Sequence, residues 1–251
     1  MPNVRLDVVF GATSINQADV VGRVVAVIDV LRASTSIATA LDHGARCVVP
    51  LESGEEVIRR SKSFARGDVR LAGERRMLPV PGFDLGNSPR EFTREVVEGR
   101  TILMSTTNGT PALLATQVAR DVVVASYVNY SATLAYLRSA VRGGIDVTII
   151  CAGRERHFSR EDGACAGRYV RGISRRNSSV QRNDAAQLCA MLDKHHGDRL
   201  LEMFAESEHG RALAAAGFEG DLDACGAIDA HPVVPVYVDR QIVKLGPDWE
   251  R

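Results

Sequence analysis

One segment, from Val24 to Ile37, constrains the fold of this chain more than any other. It opens with the apolar run Val-Val-Ala-Val-Ile, reaches Asp29, and then passes Arg32 and three hydroxyl residues before a helical pattern. A continuous apolar run is typical of a strand buried inside a parallel sheet. Ligands of open α/β sheets bind beyond the carboxyl ends of such strands. The segment therefore predicts half of a metal-and-phosphate site, in which Asp29 stands beside free N–H groups of a helix.

Strand and helix patterns alternate along the chain as far as Gly172. This alternation predicts an α/β fold with helices layered on both faces of a mostly parallel or mixed sheet. We expect a single domain over residues 1–251, with a helical sub-lobe and closing β-hairpin within 184–251. A helix from Ser88 to Gly99, helix breaks near Gly197 and Gly210, and an exposed loop over 174–183 are also expected.

Composition excludes several classes of protein. Lys plus Arg and Asp plus Glu both number 31, so the net charge is zero, which argues against nucleic-acid binding. No apolar run reaches the roughly 18 residues of a membrane span, and the N-terminus lacks a signal-peptide pattern. We therefore expect a soluble cytoplasmic protein with no membrane partner. The five cysteines show no CxxC pair and are expected to be reduced. A homodimer is expected only from base rates.

Residues suited to chemistry follow four of the predicted strands. In a doubly wound sheet, the loops after these strands meet at one edge, which is the main argument for an active site. The loop after Met104 offers hydroxyls, an amide and a glycine ahead of a helix, a combination that can surround a phosphate. The four stretches are Asp29 to Ser36, Gly73 to Arg75, Ser105 to Thr110, and Cys151 to Asp162.

Each stretch also has a purely structural interpretation. Asp29 could cap the following helix, although Ser34 or Thr35 could do so instead and leave Asp29 free. Glu74 and Arg75 could form a surface ion pair, which contributes little to stability. The Asn108-Gly109 pair could form a hairpin turn, but a helix follows it. Acidic residues in the first turn of a helix, such as Glu161 and Asp162, are favoured by the helix dipole alone.

Familiar covalent mechanisms do not match this sequence. Cys151 lacks the arginine six residues later that a cysteine phosphatase needs, since His157 stands there. Asp29 is followed two residues later by Leu31, where a haloacid dehalogenase-type phosphatase carries a second aspartate. No P-loop, GxGxxG or GxSxG segment is present at the required place.

Several of these motifs resemble the ComB-type 2-phosphosulfolactate phosphatases, and the resemblance covers nearly the whole chain. The resembling stretches are Asp29-Val-Leu-Arg-Ala-Ser-Thr-Ser, Gly73-Glu-Arg, Gly82-Phe-Asp-Leu-Gly-Asn-Ser-Pro, Thr106-Thr-Asn-Gly-Thr, Cys151-Ala-Gly, Glu161-Asp-Gly-Ala-Cys-Ala-Gly and Val233-Val-Pro-Val-Tyr. The resemblance implies a magnesium-dependent acid phosphatase that converts 2-phospho-3-sulfolactate to 3-sulfolactate and phosphate, a step of coenzyme M synthesis in methanogens. It also implies a family-specific α/β fold layered around a mixed sheet.

The chain departs from the family pattern in three places. Ser-Thr-Ser follows Arg-Ala where threonines are usual, which keeps the hydroxyl chemistry. The segment Arg76-Met-Leu-Pro-Val-Pro replaces a shorter approach that contains glycine, and Ser159-Arg160 stands where an apolar residue is typical. These departures bear on the substrate more than on the reaction.

We hypothesise that Asp29 holds Mg²⁺ together with one or more of four other acids, namely Glu74, Asp84, Glu161 and Asp162. The predicted catalytic residues are Asp29, Arg32, Glu74 and Asn108. The predicted substrate-binding residues are Arg32, Ser34, Thr35, Arg75, Thr106, Thr107, Asn108, Gly109 and Arg154. A metal-bound water would attack the phosphorus, with direct attack by Asp29 as a second route. Two alternatives stay open, namely a phosphatase for another phosphorylated hydroxy acid and a non-catalytic anion-binding protein.

Overall fold

The computed structural model describes residues 4–155, 157–175 and 180–246. Within them, one sheet contains the strands β1 Arg5–Phe10, β2 Val24–Ile28, β3 Cys47–Pro50, β4 Val69–Arg75, β5 Leu78–Pro79, β6 Thr101–Ser105, β7 Asp121–Ala125, β8 Val147–Cys151, β9 Gln181–Arg182, β10 Pro235–Val238 and β11 Gln241–Lys244. The helices are α1 Ala33–Asp42, α2 Gly54–Ser61, α3 Arg94–Val97, α4 Gly109–Leu114, α5 Tyr130–Arg142, α6 Arg160–Ser174, α7 Asp184–His196, α8 Leu200–Glu206, α9 Glu208–Ala215 and α10 Glu219–Gly226. Short 3-10 helices cover Ala12–Ser14, Gln17–Asp19 and Pro89–Glu91.

The sheet is mixed, with strand order β5-β4-β6-β3-β11-β10-β7-β2-β8-β1-β9. The strands β4, β6 and β3 form one parallel group, and β7, β2, β8, β1 and β9 form another. The predicted closing hairpin of β10 and β11 is confirmed, and it lies between these groups with antiparallel pairing on both sides. Three successive antiparallel pairings make the two groups run in opposite directions.

Helices cover both faces of this sheet, as the sequence predicts. Alternate residues of β2 point to opposite faces, so Ala26 joins one core cluster and Val25 and Val27 join the other. The first cluster includes apolar residues of α5, α6, α7 and α8, and the second includes those of α1 and α4. The layered α/β prediction is therefore confirmed.

Twist of the sheet brings the two parallel groups to a common site. Adjacent strands rotate by about 20–25°, so the five steps from β2 to β6 accumulate roughly 100–125°. The ends of oppositely directed strands can therefore approach one another, and α4, which follows β6, packs against both β2 and α1. The loops after β2, β4, β6 and β8 meet in this way rather than along one edge of a doubly wound sheet.

Local differences from the sequence predictions have simple causes. The helix expected from Ser88 to Gly99 is instead a 3-10 turn followed by the short α3, and Phe92 lies buried between them. Gly210 does not break a helix, because it lies inside α9; the break falls at Ser207, whose side chain caps that helix. The expected break at Gly197 is confirmed.

Two further comparisons concern the loop and the helices. The loop predicted over 174–183 includes β9, and its residues 176–179 lie outside the described residues. In the described ranges, no helix combines the length and the apolar character that crossing a membrane would require.

Candidate active site

Asp29 follows β2 directly and is only 5% exposed. Its Oδ1 accepts a hydrogen bond of 3.3 Å from the backbone N–H of Ala33, and its own N–H donates to Ser34 Oγ at 2.8 Å. Its Oδ2 faces Gly109 and receives no hydrogen bond from the described residues; a Cβ added to Gly109 would lie 2.8 Å from it. One carboxylate oxygen therefore supports the start of α1, and the other stays available to a ligand.

The Asp29 carboxyl group is hard to ionise in this environment. Its pKa is raised from 3.8 to about 6, mainly because burial disfavours the charged form. The positive charge of His209 and the hydrogen bond from Ala33 act in the opposite direction, whereas the charges of Glu74 and Glu161 raise the pKa further. Asp29 thus lies within electrostatic reach of two other carboxylates, and a group with a pKa near 6 can exchange protons near neutral pH.

Arg32 is held in place by residues far away in the sequence. Its Nη1 donates to Asp221 Oδ2 at 2.6 Å, and its Nη2 donates to the backbone oxygen of Met77 at 2.8 Å. The guanidinium also lies 4.3 Å from the centre of the Phe218 ring. Asp221 compensates much of the positive charge of Arg32. A guanidinium has five N–H groups, and those not bonded to protein can still bind an anion.

Glu74 connects the loops that follow β4 and β6. Its Oε1 accepts the N–H of Thr107 at 2.7 Å, and its Oε2 accepts the N–H of Met77 at 2.9 Å. Asn108 makes a similar connection, because its Oδ1 accepts the N–H of Glu155 at 3.0 Å in the loop after β8. These bonds hold three strand-end loops around one space.

A cavity of about 230 Å³ lies where these loops meet. It is lined by six of the predicted site residues, namely Asp29, Arg32, Glu74, Thr107, Asn108 and Arg154. The other lining residues are Leu31, Arg76, Met77, Asn87, Glu155 and His209. Acidic groups and arginines therefore surround one small space, as binding of a metal together with an oxyanion requires.

Glu161 lies next to this cavity and pairs with a histidine. His209 Nδ1 is 3.2 Å from Glu161 Oε1, and both side chains are buried. Burial raises the pKa of Glu161, but the hydrogen bond and charge of His209 outweigh that effect and hold the pKa below its usual range. Glu161 Oε2 is buried and receives no hydrogen bond from the described part of the chain. A second cavity of about 280 Å³ is lined by Glu161 and shares His209, Arg154 and Glu155 with the first.

Asp162 instead forms hydrogen bonds that connect two loops. Its Oδ1 accepts the N–H of Val30 at 2.8 Å, and its Oδ2 accepts the N–H of Gly153 at 2.9 Å. Burial raises its pKa, and the charges of Asp29 and Glu161 add to the rise. Asp162 thus ties the loops after β2 and β8 together and does not line the cavity.

Several other predicted residues also lie away from the cavity. Among the predicted metal ligands, Asp84 is exposed and accepts the N–H of Leu71 at 2.8 Å, so the structure does not bring it to the other acids. Arg75 is exposed and donates to Ser105 Oγ at 2.9 Å. Both side chains therefore stabilise loops away from the cavity, although the sequence motifs predicted them at the site.

Four hydroxyl residues form hydrogen bonds within the loops, namely Ser34, Thr35, Thr106 and Thr110. Ser34 bonds to the backbone of Asp29, and Thr35 donates to the Val30 backbone oxygen at 2.9 Å. Thr106 and Thr110 bond to each other reciprocally, with each N–H 3.0 Å from the other's Oγ1. These side chains shape the loops and do not line the cavity.

Gly109 contributes through its lack of a side chain. A Cβ at this position would lie 2.7 Å from Ala33 Cβ as well as close to Asp29. Glycine therefore allows α4 to approach the start of α1.

Carboxylates at the cavity fit a loosely held hard cation. Asp29 and Glu74 line the cavity. Glu161 lies beside it and has one buried carboxylate oxygen that receives no hydrogen bond from the described residues. Within the described ranges, these acids do not form a set of three ligand atoms within 4.8 Å of one another. Mg²⁺ commonly binds one or two carboxylates, waters and substrate phosphate, so this looser arrangement suits it.

The sequence did not reveal several residues of the site. His209 and Asp221 come from two short C-terminal helices, and their partners lie 48 and 189 positions away. Arg76 was noted only as a departure from the family pattern, although it lines the cavity. The acidic residue Glu155 was not singled out because it lies in an arginine-rich stretch.

Comparison with known proteins identifies the family of this chain. Residues 10–240 match the family model described as 2-phosphosulpholactate phosphatase. This chain belongs to the 2-phosphosulfolactate phosphatase family. Because the match covers most of the chain, the resemblance predicted from the sequence motifs is confirmed.

Curated relatives of the family are similar over nearly their whole length. One from Symbiobacterium thermophilum is 38% identical over 227 residues, covering 90% of this chain and 96% of the relative. Another from Clostridium botulinum strain Eklund 17B is 32% identical over 242 residues, covering 96% of this chain and 100% of the relative. A third from Caldanaerobacter subterraneus subsp. tengcongensis is 36% identical over 236 residues, covering 94% of this chain and 96% of the relative. All three are described as "Probable 2-phosphosulfolactate phosphatase".

Proposed function

We propose that this chain is a Mg²⁺-dependent phosphatase that hydrolyses 2-phospho-3-sulfolactate to 3-sulfolactate and phosphate. Membership of the family and the names of the relatives support the reaction and the substrate. The observation that carries the proposal is the buried Asp29 carboxylate, which lines a cavity together with arginines. A role in coenzyme M synthesis would follow from this product and stays a prediction.

Charge around the cavity suits a substrate with three acidic groups. The proposed substrate carries a phosphate, a carboxylate and a sulfonate. Arg32, Arg76 and Arg154 line the cavity, and guanidinium groups bind such oxyanions through paired N–H donors. Arg154 also pairs with Glu208 at 2.6 Å, so its charge is oriented before the substrate binds.

Asp29 and Glu74, with Glu161 beside them, are the residues that would hold Mg²⁺. When bound, Mg²⁺ would offset charge on the phosphoryl oxygens and lower the pKa of a coordinated water. A phosphate monoester is very unreactive in water, so catalysis depends on this charge neutralisation and on positioning of the nucleophile.

The side chains have distinct tasks in the proposed reaction. The arginines orient the phosphoryl group as water forms its bond to phosphorus and the bond to the ester oxygen breaks. The water gives up a proton to solvent and the ester oxygen takes one up, while Asp29 stays ionised. Glu74 fixes the loop of Thr107 and Asn108 beside the phosphoryl group.

A second route begins with attack by Asp29 itself and gives an aspartyl phosphate. The two routes differ in stereochemistry at phosphorus. We expect inversion for single-step attack by water, measured with a phosphorothioate ester that carries two oxygen isotopes and is hydrolysed in water of the third, so that the thiophosphate released is chiral. Retention would instead support the two-step route.

A panel of phosphate esters tests the function. Phosphate release is measured with 2-phospho-3-sulfolactate, with other phosphorylated hydroxy acids, and with a simple phosphate monoester, each in Mg²⁺ and then in EDTA. We expect the highest kcat/KM for the sulfonated ester and loss of turnover in EDTA. Faster turnover of another hydroxy-acid ester would support the alternative substrate, and binding without turnover would support an anion-binding protein.

A further inference from the structure

A second cluster of metal-ligating side chains lies at the far end of α1 from Asp29. Asp42 is the last residue of α1, His43 follows it, and His231 comes from the segment between α10 and β10. One ligand atom from each of these three residues lies within 4.8 Å of the other two. The helix rises about 1.5 Å per residue, so this cluster is roughly 13–15 Å from the start of α1.

Hydrogen bonds orient both histidine rings with one nitrogen left for a ligand. His43 Nδ1 is 2.7 Å from the backbone oxygen of Phe92, and His231 Nδ1 is 2.9 Å from Asp42 Oδ2. A carbonyl or carboxylate oxygen can only accept, so each Nδ1 carries the hydrogen and each Nε2 keeps its lone pair. The bond of His43 to Phe92 is of the kind that commonly holds a histidine ligand, whereas the bond of His231 to Asp42 would be exchanged for bonds to an ion.

The surroundings leave room for an ion and a bound water. The two rings are perpendicular, with centroids 5.2 Å apart. Asp42 and His231 side chains are 27% and 19% exposed, so both can rotate toward an ion. A cavity of about 200 Å³ is lined by His43 and His231. The negative end of the α1 dipole favours a cation here, whereas Arg90, which also lines the cavity, opposes it.

We propose that Asp42, His43 and His231 form a second metal site, which binds a divalent transition ion of the Zn²⁺ class. Two imidazoles and one carboxylate suit such an ion, and a water would complete four-coordination. Mg²⁺ prefers oxygen ligands and would not compete well. The ion would fasten the segment that precedes the β10–β11 hairpin to the end of α1, separately from the proposed phosphatase chemistry.

Zn²⁺ binding to the full chain tests this site without an activity measurement. The wild type, His43→Ala, His231→Ala and the control His195→Ala are dialysed against Zn²⁺ in excess Mg²⁺, and bound zinc is counted per chain. His195 is an exposed histidine of α7 outside the cluster, so its variant removes one imidazole without touching the proposed ligands. We expect both cluster variants to bind one ion fewer than the wild type and the control.

Thermal unfolding supplies a second measurement. Zn²⁺ at about 100 times its dissociation constant should raise the Tm of the wild type and the control by about 5–10 °C, and that of the cluster variants by less. The Tm of each variant in EDTA shows whether it folds. Asp42→Asn keeps an acceptor for His231 and should weaken Zn²⁺ binding by about tenfold or more. Equal zinc content and equal Tm shifts in all variants would overturn the proposal.

Discussion

Arg32 Nη1 lies 2.6 Å from Asp221 Oδ2, and the two side chains are 2% and 1% exposed. This ion pair joins the loop after β2 to α10, across 189 positions of sequence. Asp221 Oδ1 also accepts a bond of 2.6 Å from Ser88 Oγ, so one carboxylate holds two segments. The C-terminal helical region therefore contributes to the candidate site.

Loss of Asp221 should destabilise the protein strongly. Asp221→Ala leaves the buried guanidinium of Arg32 without its counter-charge, which costs about 3–5 kcal/mol of unfolding free energy. A matched control is Asp198→Ala, which removes a partner of Arg168 that also lies at 2.6 Å but is 87% exposed. That variant should lose about 1 kcal/mol or less. Urea unfolding measures both, and equal losses would contradict the importance of burial.

Gly109→Ala should impair both packing and catalysis. The added methyl group would meet Ala33 Cβ and Asp29 Oδ2 at distances that force a shift. Overpacking of this kind costs about 1–3 kcal/mol, and displacement of Asp29 should lower kcat. Gly67→Ala is the control, because nothing lies within 4 Å of its added Cβ. If Gly109→Ala behaved like Gly67→Ala in unfolding and turnover, the close approach of α4 to Asp29 would be refuted.

Removal of His209 should make stability depend on pH through Glu161. Without that partner, burial raises the folded-state pKa of Glu161 above the unfolded value of about 4.5. The folded state of His209→Ala then binds more protons than the unfolded state, so its stability falls as pH rises through this raised pKa.

The measurement is urea unfolding at several pH values from 4 to 8. The double variant Glu161→Gln/His209→Ala has no carboxyl group at this position and should lose the added slope. Persistence of the slope in the double variant would assign it to another group.

Arg154→Ala should weaken substrate binding more than it affects folding. Arg154 lines the cavity, and a charge-assisted hydrogen bond contributes about 1.5–3 kcal/mol. We therefore expect KM to rise by about 10–100-fold. Arg94→Ala, which breaks an exposed ion pair with Glu98, should leave KM unchanged. Steady-state kinetics on both variants make the comparison, and an unchanged KM in Arg154→Ala would remove this residue from the binding site.

Local sequence patterns predicted several elements of the fold. Short-range rules of strand burial, helix initiation and turn formation apply to three of them, namely the apolar run of β2, the loop after Met104 and the hairpin around Asp239 and Arg240. Asp29 lines the cavity, and its position depends only on the strand that precedes it.

Long-range packing could not be predicted in the same way. The hairpin lies between two oppositely directed groups of strands, and no local pattern specifies that position. Asp162 and Glu161 are neighbours in sequence, yet one fastens two loops and the other faces His209. Which neighbour faces the cavity depends on the rotation of α6 against the sheet, a property of tertiary packing.

Asp29 should make the metal-free protein less stable as pH rises. The folded state holds the Asp29 proton up to about pH 6, whereas the unfolded state releases it near pH 3.8. The folded state therefore binds more protons in this window, and the free energy of unfolding falls across it by about 3 kcal/mol. Asp29→Asn cannot ionise and should gain stability over wild type by a similar amount at pH 7. Urea unfolding in EDTA at pH 4, 5, 6 and 7 measures the difference, and a constant difference would contradict the raised pKa.

Phosphate release by Asp29→Asn shows whether Asp29 lies at the centre of the active site. The assay uses 2-phospho-3-sulfolactate with wild type and variant, each in Mg²⁺ and in EDTA, together with urea unfolding of the same samples. The proposal predicts rapid Mg²⁺-dependent release by the wild type, a loss of at least about 100-fold in the variant, and a variant at least as stable as the wild type in EDTA. Turnover close to that of the wild type in a folded Asp29→Asn protein would contradict the assignment of Asp29 as the centre of the active site.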